Sequence, residues 1–185
     1  MKNIKSLFIS LVLIGSVSVI GAAETVKAAP GAALYVYTIN NTVRPAPDAD
    51  PITVIVDKSS MFSGNLRNNP ETQALFKQNL FIVWKGYLAI PTKGTYTFSA
   101  SFESDYGSDN NVIVQVNGKD LLMISQIKRP YKMNDSRSVM LEKGDYEITI
   151  IHRAVHNGAF SLRMWNKNNP LKKLNITPAV LLHAE

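Results

Sequence analysis

The 185-residue chain contains no cysteine. That absence excludes disulfides, cysteine nucleophiles, thiolate zinc sites and iron–sulfur clusters together. A domain of this size buries enough core to stand without cross-links. Acidic residues are also scarce, 14 against 20 lysines and arginines, giving a formal charge of +6. Lys2 and Lys5 account for part of it, and the remainder is scattered apart from "KRPYK" (128–132) and Lys172-Lys173. Such a mild, dispersed excess does not point to nucleic acid. Catalytic signatures are missing as well: there is no G-x-S-x-G elbow, no Walker loop and no dinucleotide fingerprint. No carboxylate pair sits in an apolar frame that would raise a pKa. His152 and His156 have the i, i+4 spacing of helical zinc ligands, but "YEITIIHRAV" reads as a strand. Four strand residues span about 13 Å, too far for one metal with bonds of about 2 Å. The pair is read as a strand-end feature facing solvent or a neighbour, and the chain as no enzyme.

Only one long apolar run occurs, residues 7–20, "LFISLVLIGSVSVI". It follows Lys2 and Lys5 and precedes the small residues "GAA" at 21–23. This is the pattern of a secretory signal peptide, and the run is short of the roughly 20 residues of a membrane span. No cysteine follows it, so a lipid anchor is excluded. The expected organisation is a signal peptide over 1–23, a flexible segment over 24–32 and a single β-sandwich over 33–185. The mature chain is expected outside the cytoplasm, secreted, at the cell surface or in the periplasm, with no transmembrane span once the signal is removed.

The rest of the chain reads as strands. Residues 33–39, 52–56 and 80–90 are rich in β-branched and aromatic residues, and the last run stops at Pro91. "GTYTFSASF" (94–102) alternates with period two, placing Tyr96, Phe98, Ala100 and Phe102 on one face. Asn117-Gly118 separates 111–116 from 119–124 and is a strong two-residue hairpin signal. Gly144-Asp145 and Asn157-Gly158 are placed as further turns, the latter before a strand ending at Trp165. Residues 69–78, with Pro70 in a first-turn position, form the one short helix expected. Short strands at regular spacing mean an all-β protein, a sandwich or barrel. Trp84, Tyr96, Phe98, Tyr146, Leu162 and Trp165 are the expected core.

Between two of these strands lies "ESDYGSDNNVIVQVNGK" (103–119), crowded with oxygen donors. It fails as an EF-hand: counted from Asp105, the required glycine falls on Asn110 and the closing glutamate on Val116. As a plain turn it needs no ligand, since Asp, Asn, Gly and Ser favour turns for backbone reasons.

Taken in order, Trp84-Lys85-Gly86-Tyr87, Gly94-Thr95-Tyr96-Thr97-Phe98, Asp105-Tyr106-Gly107, 112–118, "LEKGDYEITIIHRAVHNGAFSLRMW" and "NITPAVLL" resemble the PA-fourteen module, the N-terminal domain type of anthrax protective antigen. The resemblance runs from about residue 33 to 182. It implies an antiparallel β-sandwich, shared with flocculins, adhesins and glycosidase-appended sugar-binding modules, that binds rather than catalyses. Sugar-binding members hold calcium with two successive aspartates. Asp105 matches the first, and Tyr106 replaces the second, so one carboxylate is lost and the neutral phenol is a poor partner for a hard cation. The resemblance therefore implies Asp105 as the one metal ligand and a tip whose calcium binding is weakened or absent. Asp105, Tyr106, Asp109, Asn110 and Asn111 are the expected ligand-binding residues. A secreted, non-catalytic protein-interaction or adhesion subunit, with a secreted or surface protein as partner and no cofactor, is the leading functional expectation. A calcium-assisted, lectin-like glycan-binding domain is its alternative.

Overall fold

The computed structural model describes residues 28–39, 42–62, 70–76, 78–103, 109–127, 131–154 and 159–184. Two antiparallel sheets pack face to face. The larger, sheet A, contains β1 (Ala28–Pro30), β2 (Ala32–Thr38), β3 (Thr53–Asp57), β4 (Leu80–Ile90), β6 (Asn111–Val116), β7 (Lys119–Ser125), β9 (Gly144–Ala154) and β12 (Leu182–Ala184). The smaller, sheet B, runs β11 (Leu174–Ile176), β10 (Phe160–Asn166), β5 (Gly94–Phe102) and β8 (Asn134–Leu141). The helix α1 (Pro70–Phe76) falls where Pro70 suggested it. Among the described residues no helix is long and apolar enough to cross a membrane.

The spine of sheet A is the β4–β9 ladder, in register from Leu80↔Ala154 to Ile90↔Gly144. β4 is buried along most of its length because both its faces are covered, which is why its sequence is an apolar run rather than an alternation. Its other edge is shared: β2 pairs with it over Thr38↔Leu80 to Ala33↔Lys85, and β12 meets it at Leu182↔Tyr87. Gly86 permits that second approach, since a Cβ there would lie 2.8 Å from the Leu182 carbonyl. β6 and β7 form the hairpin signalled by Asn117-Gly118, whose φ angles of +48° and +73° suit a primed turn. Ala28–Pro30, within the segment read as flexible, pairs with β12.

The core lies between the sheets. Trp84, Tyr96, Phe98, Tyr146 and Leu162 are buried in it as expected, and Phe62 and Phe160 complete an aromatic cluster against Trp84. The Trp84 indole N–H donates to buried Asp57 Oδ2 at 2.9 Å, and Asp57 Oδ1 accepts from the Ser59 amide and hydroxyl. Asp135 joins the sheets at one edge. It accepts from the Met123 amide on β7 and pairs with Lys132 at 2.9 Å and Arg137 at 3.4 Å. Burial works to raise its pKa, but the Lys132 and backbone hydrogen bonds win, and its carboxyl is held below the usual range.

Two expectations are corrected. Trp165 is not in the core: it has outward parity on β10 and is half-buried beneath Lys173, whose Nζ lies 5.1 Å from its ring. The turn after β8 is at 142–143, and Gly144, with φ of +149°, already belongs to β9. Of the two settings expected for His152, solvent or a neighbour, the structure has the second: it is buried between Trp84 and Phe160 near the end of β9. His156 and Asn157-Gly158 lie outside the described residues.

Candidate functional site

Two chain segments leave the sandwich at the same end. One follows β5 and returns at Asp109 to enter β6; the other follows β9 and returns at Ala159 to enter β10. Their stems are joined: the Glu103 amide donates to the Ala159 carbonyl at 3.0 Å. A second contact comes from β9. Arg153, mostly buried, donates to the Asp109 carbonyl at 2.7 Å, and its guanidinium lies 3.8 Å from the exposed Asp109 carboxylate. Beside the stems is a hollow of about 360 Å³ whose lining includes Met61, Glu103, Ser161, Arg163 and Asn175. It offers one carboxylate, one guanidinium, amide and hydroxyl groups, and an exposed thioether.

Asp105 and Tyr106 lie outside the described residues. Of the other expected ligand-binding residues, Asp109 reaches the surface while Asn110 and Asn111 are 1% and 0% exposed. Strand alternation sends the two amides opposite ways. Asn110 Nδ2 donates to Gln126 Oε1 at 3.1 Å, and the Gln126 amide donates back to the Asn110 carbonyl at 2.8 Å. Asn111 shares the outer face of sheet A with Arg153, its register partner. Its Nδ2 reaches the Val43 carbonyl at 3.4 Å. Asn111 Oδ1 and Arg153 Nε are buried and have no hydrogen-bond partner among the described residues. Leaving such groups unsatisfied costs about 1–3 kcal/mol each, an expense more often met near a binding site than in a scaffold.

The donors poorly fit a calcium cage. Calcium takes six to eight oxygens and favours several carboxylates. Here the described part of the loop supplies two, Glu103 and Asp109, and the Arg153 guanidinium already lies 3.8 Å from the second. Among the described residues no three His, Asp or Glu side chains come together.

Arg153, Glu103 and the Arg163–Asn175 wall were not found from the sequence. Arg153 did leave a signal, a cation near the end of an apolar strand with the parity of Ile151. The hollow left none, because it joins residues about 100 positions apart.

No family model matches the chain, and no curated protein matches it. Solved structures do. The A domain of epithelial adhesin 6 from Candida glabrata, in complex with Galb1-3GlcNAc, is 16% identical with a TM-score of 0.57, over 88% of this chain and 90% of that one. The PA14 domain of the MpAFP antifreeze protein is 13% identical with a TM-score of 0.56, over 89% and 96%. The PA14 sugar-binding domain from an RTX adhesin is 12% identical with a TM-score of 0.51, over 84% and 99%. The chain spans half the length of an anti-sigma factor domain-containing protein that it also matches. At these identities the likeness is one of architecture: the chain has the PA14 fold.

Proposed function

We propose that this chain is an exported, non-catalytic binding module that recognises a glycan at the end of the sandwich where the two stems meet. The observation that carries the reading is the clamped pair of stems, Glu103 to Ala159, set beside Asp109, Arg153 and the open hollow. Loops displayed on a rigid sheet frame are where such folds place recognition. Two matched domains support the ligand class: one was solved with a disaccharide and the other is described as sugar-binding. Asp105, Tyr106 and Asp109 are proposed to face the ligand, with Arg153 holding Asp109 in place. Tyr106 would supply a ring on which a sugar can stack. The buried amides of Asn110 and Asn111 brace the loop. Residues 1–23 are proposed to direct export, and exported protein should have lost them by intact mass.

A glycan array probed with the chain lacking residues 1–23, with calcium and with chelator, tests this. The expected result is selective glycan binding that Asp109→Ala weakens. An array blank in both conditions would contradict it.

A second reading, a protein-interaction subunit, rests on β3. This strand pairs with β2 alone among the described strands, and Ile52, Val54 and Val56 are 48%, 51% and 43% exposed. An edge strand whose exposed side chains are apolar and uncharged is an invitation to strand pairing. A pull-down from native secretions that loses its protein partner on Val54→Lys would favour this reading.

A further inference from the structure

The outer face of sheet B is a second surface, which borders the hollow beside the stems along Ser161, Arg163 and Asn175. Its outward residues follow from register. Ser138, Thr97 and Trp165 form one row across β8, β5 and β10. Ser136, Ser99, Arg163 and Asn175 form the next, reaching β11. Asn134, Ser101 and Ser161 form the third. Hydroxyls dominate these rows, and they are held in place: Thr97 with Ser138 at 3.0 Å, Ser101 with Ser161 at 2.9 Å, and Ser136 to the Phe98 carbonyl at 3.2 Å. Each keeps lone pairs free for a further partner.

Only a few long side chains rise from this face. Trp165 is fixed under Lys173, and Arg163 stands two residues along the same strand, about 7 Å away. Past Trp165 the surface opens into a groove of about 570 Å³ lined by Asn166, Asn169 and Lys172, together with Lys93, which pairs with Glu142 at 2.7 Å. The rows carry no carboxylate. Asp135 points inward, and Glu103 stands beyond the strand at the loop end.

We infer that this face binds an extended polysaccharide chain bearing carboxylate or sulfate groups. The hydroxyl rows match a polymer of hydroxyls, and the indole offers a surface on which a sugar ring can lie. Arg163, Lys172 and Lys173 complement its negative charge, with Arg163 able to take a carboxylate or sulfate through two parallel hydrogen bonds. A protein partner fits less well, since protein interfaces are depleted in serine and depend on clusters of large anchors. The inference does not depend on glycan recognition at the stems.

Dextran sulfate, polygalacturonate and uncharged dextran, used in native affinity gels with the chain lacking residues 1–23, test it. Either charged polymer, or both, should retard the protein, and dextran should not; which one does so separates sulfate from carboxylate recognition. Ser136→Glu and Trp165→Ala should each weaken retardation at least about five-fold. Gln78→Glu, which alters net charge equally at an exposed site elsewhere, should leave it unchanged. Melting midpoints establish that each variant is folded; should Trp165→Ala fail to fold, Ser136→Glu alone decides. The inference is overturned if neither charged polymer binds, if Gln78→Glu weakens binding as much as Ser136→Glu, if folded Trp165→Ala binds as the parent does, or if Ser136→Glu instead dissociates a dimer of this chain.

Discussion

The two outer faces of the sandwich obey the same parity rule and are built in opposite ways. On sheet A, Phe81, Val83, Ile113 and Ile151 point away from the main core and are nonetheless buried, with Tyr35, Tyr37 and Ile39 against them. Residues 42–44 are tied across to this side, Val43 to Asn111 and Arg44 to Asp120 at 2.9 Å. On sheet B the corresponding positions are mostly serines and threonines, half-buried or exposed apart from buried Thr97, joined to each other and accompanied by Trp165, Arg163, two asparagines and the exposed Met140. One face is used for stability, and the other contributes little to it. A bare face held flat by short side chains is free to take a ligand, and a tied apolar face is not.

The largest expected break in that comparison comes from truncating outward residues of similar parity on each sheet. Phe81→Ala should lower stability by roughly 3–5 kcal/mol, the usual range for a buried aromatic. Ser99→Ala on sheet B should change it by no more than about 0.5 kcal/mol. Denaturant midpoints for the pair measure the contrast, and equal losses would erase it.

A smaller effect is expected at the edge where the sheets are joined. The folded-state pKa of Asp135 is depressed, so its ion pairing contributes stability above the ordinary carboxylate range. That contribution fades as pH falls through the folded value, below about 4. Asp135→Asn should therefore destabilise the protein clearly at pH 7 and little at pH 2.5. Melts across that range check it, and a pH-independent penalty would show that packing rather than charge is at work.

The smallest expected effect concerns calcium. A tightly bound ion would stabilise the fold by about 2.7 kcal/mol at a hundred-fold excess over its dissociation constant. With Arg153 against Asp109, and on the expectation that Tyr106 stands where sugar-binding PA-fourteen modules have a second aspartate, melts in millimolar calcium and in chelator should nearly coincide. A large shift abolished by Asp105→Ala would restore calcium to the stem end.

The strands were legible where local signals agreed. β4, β5 and β6 begin and end where the apolar runs, Pro91 and Asn117-Gly118 place them. In β9 the glycine misled: Gly144 was read as a turn because of its backbone freedom, yet the turn precedes it and the positive φ opens the strand. Trp165 is expected in the core, while its parity with Arg163 and Ser161 on β10 places it outside. The donors 109–111 were read as a cluster by their chemistry. Strand entry separates them, one side chain to solvent, one to Gln126 and one to Val43, and that depends on distant partners no local pattern contains. The Asp57–Trp84 contact is of the same kind, 27 residues apart in sequence.

Recognition confined to the stem end and the bare face, and absent from the tied face, is the central claim, and backbone amide NMR during titration tests it most directly. With dextran sulfate as the probe, shifts should concentrate at Ser99, Ser136 and Trp165. With the strongest binder from the glycan array they should concentrate at Glu103, Asp109, Arg153 and Ala159. Neither titration should move Tyr35, Phe81 or Ile113. Shifts centred on those three residues would contradict the account.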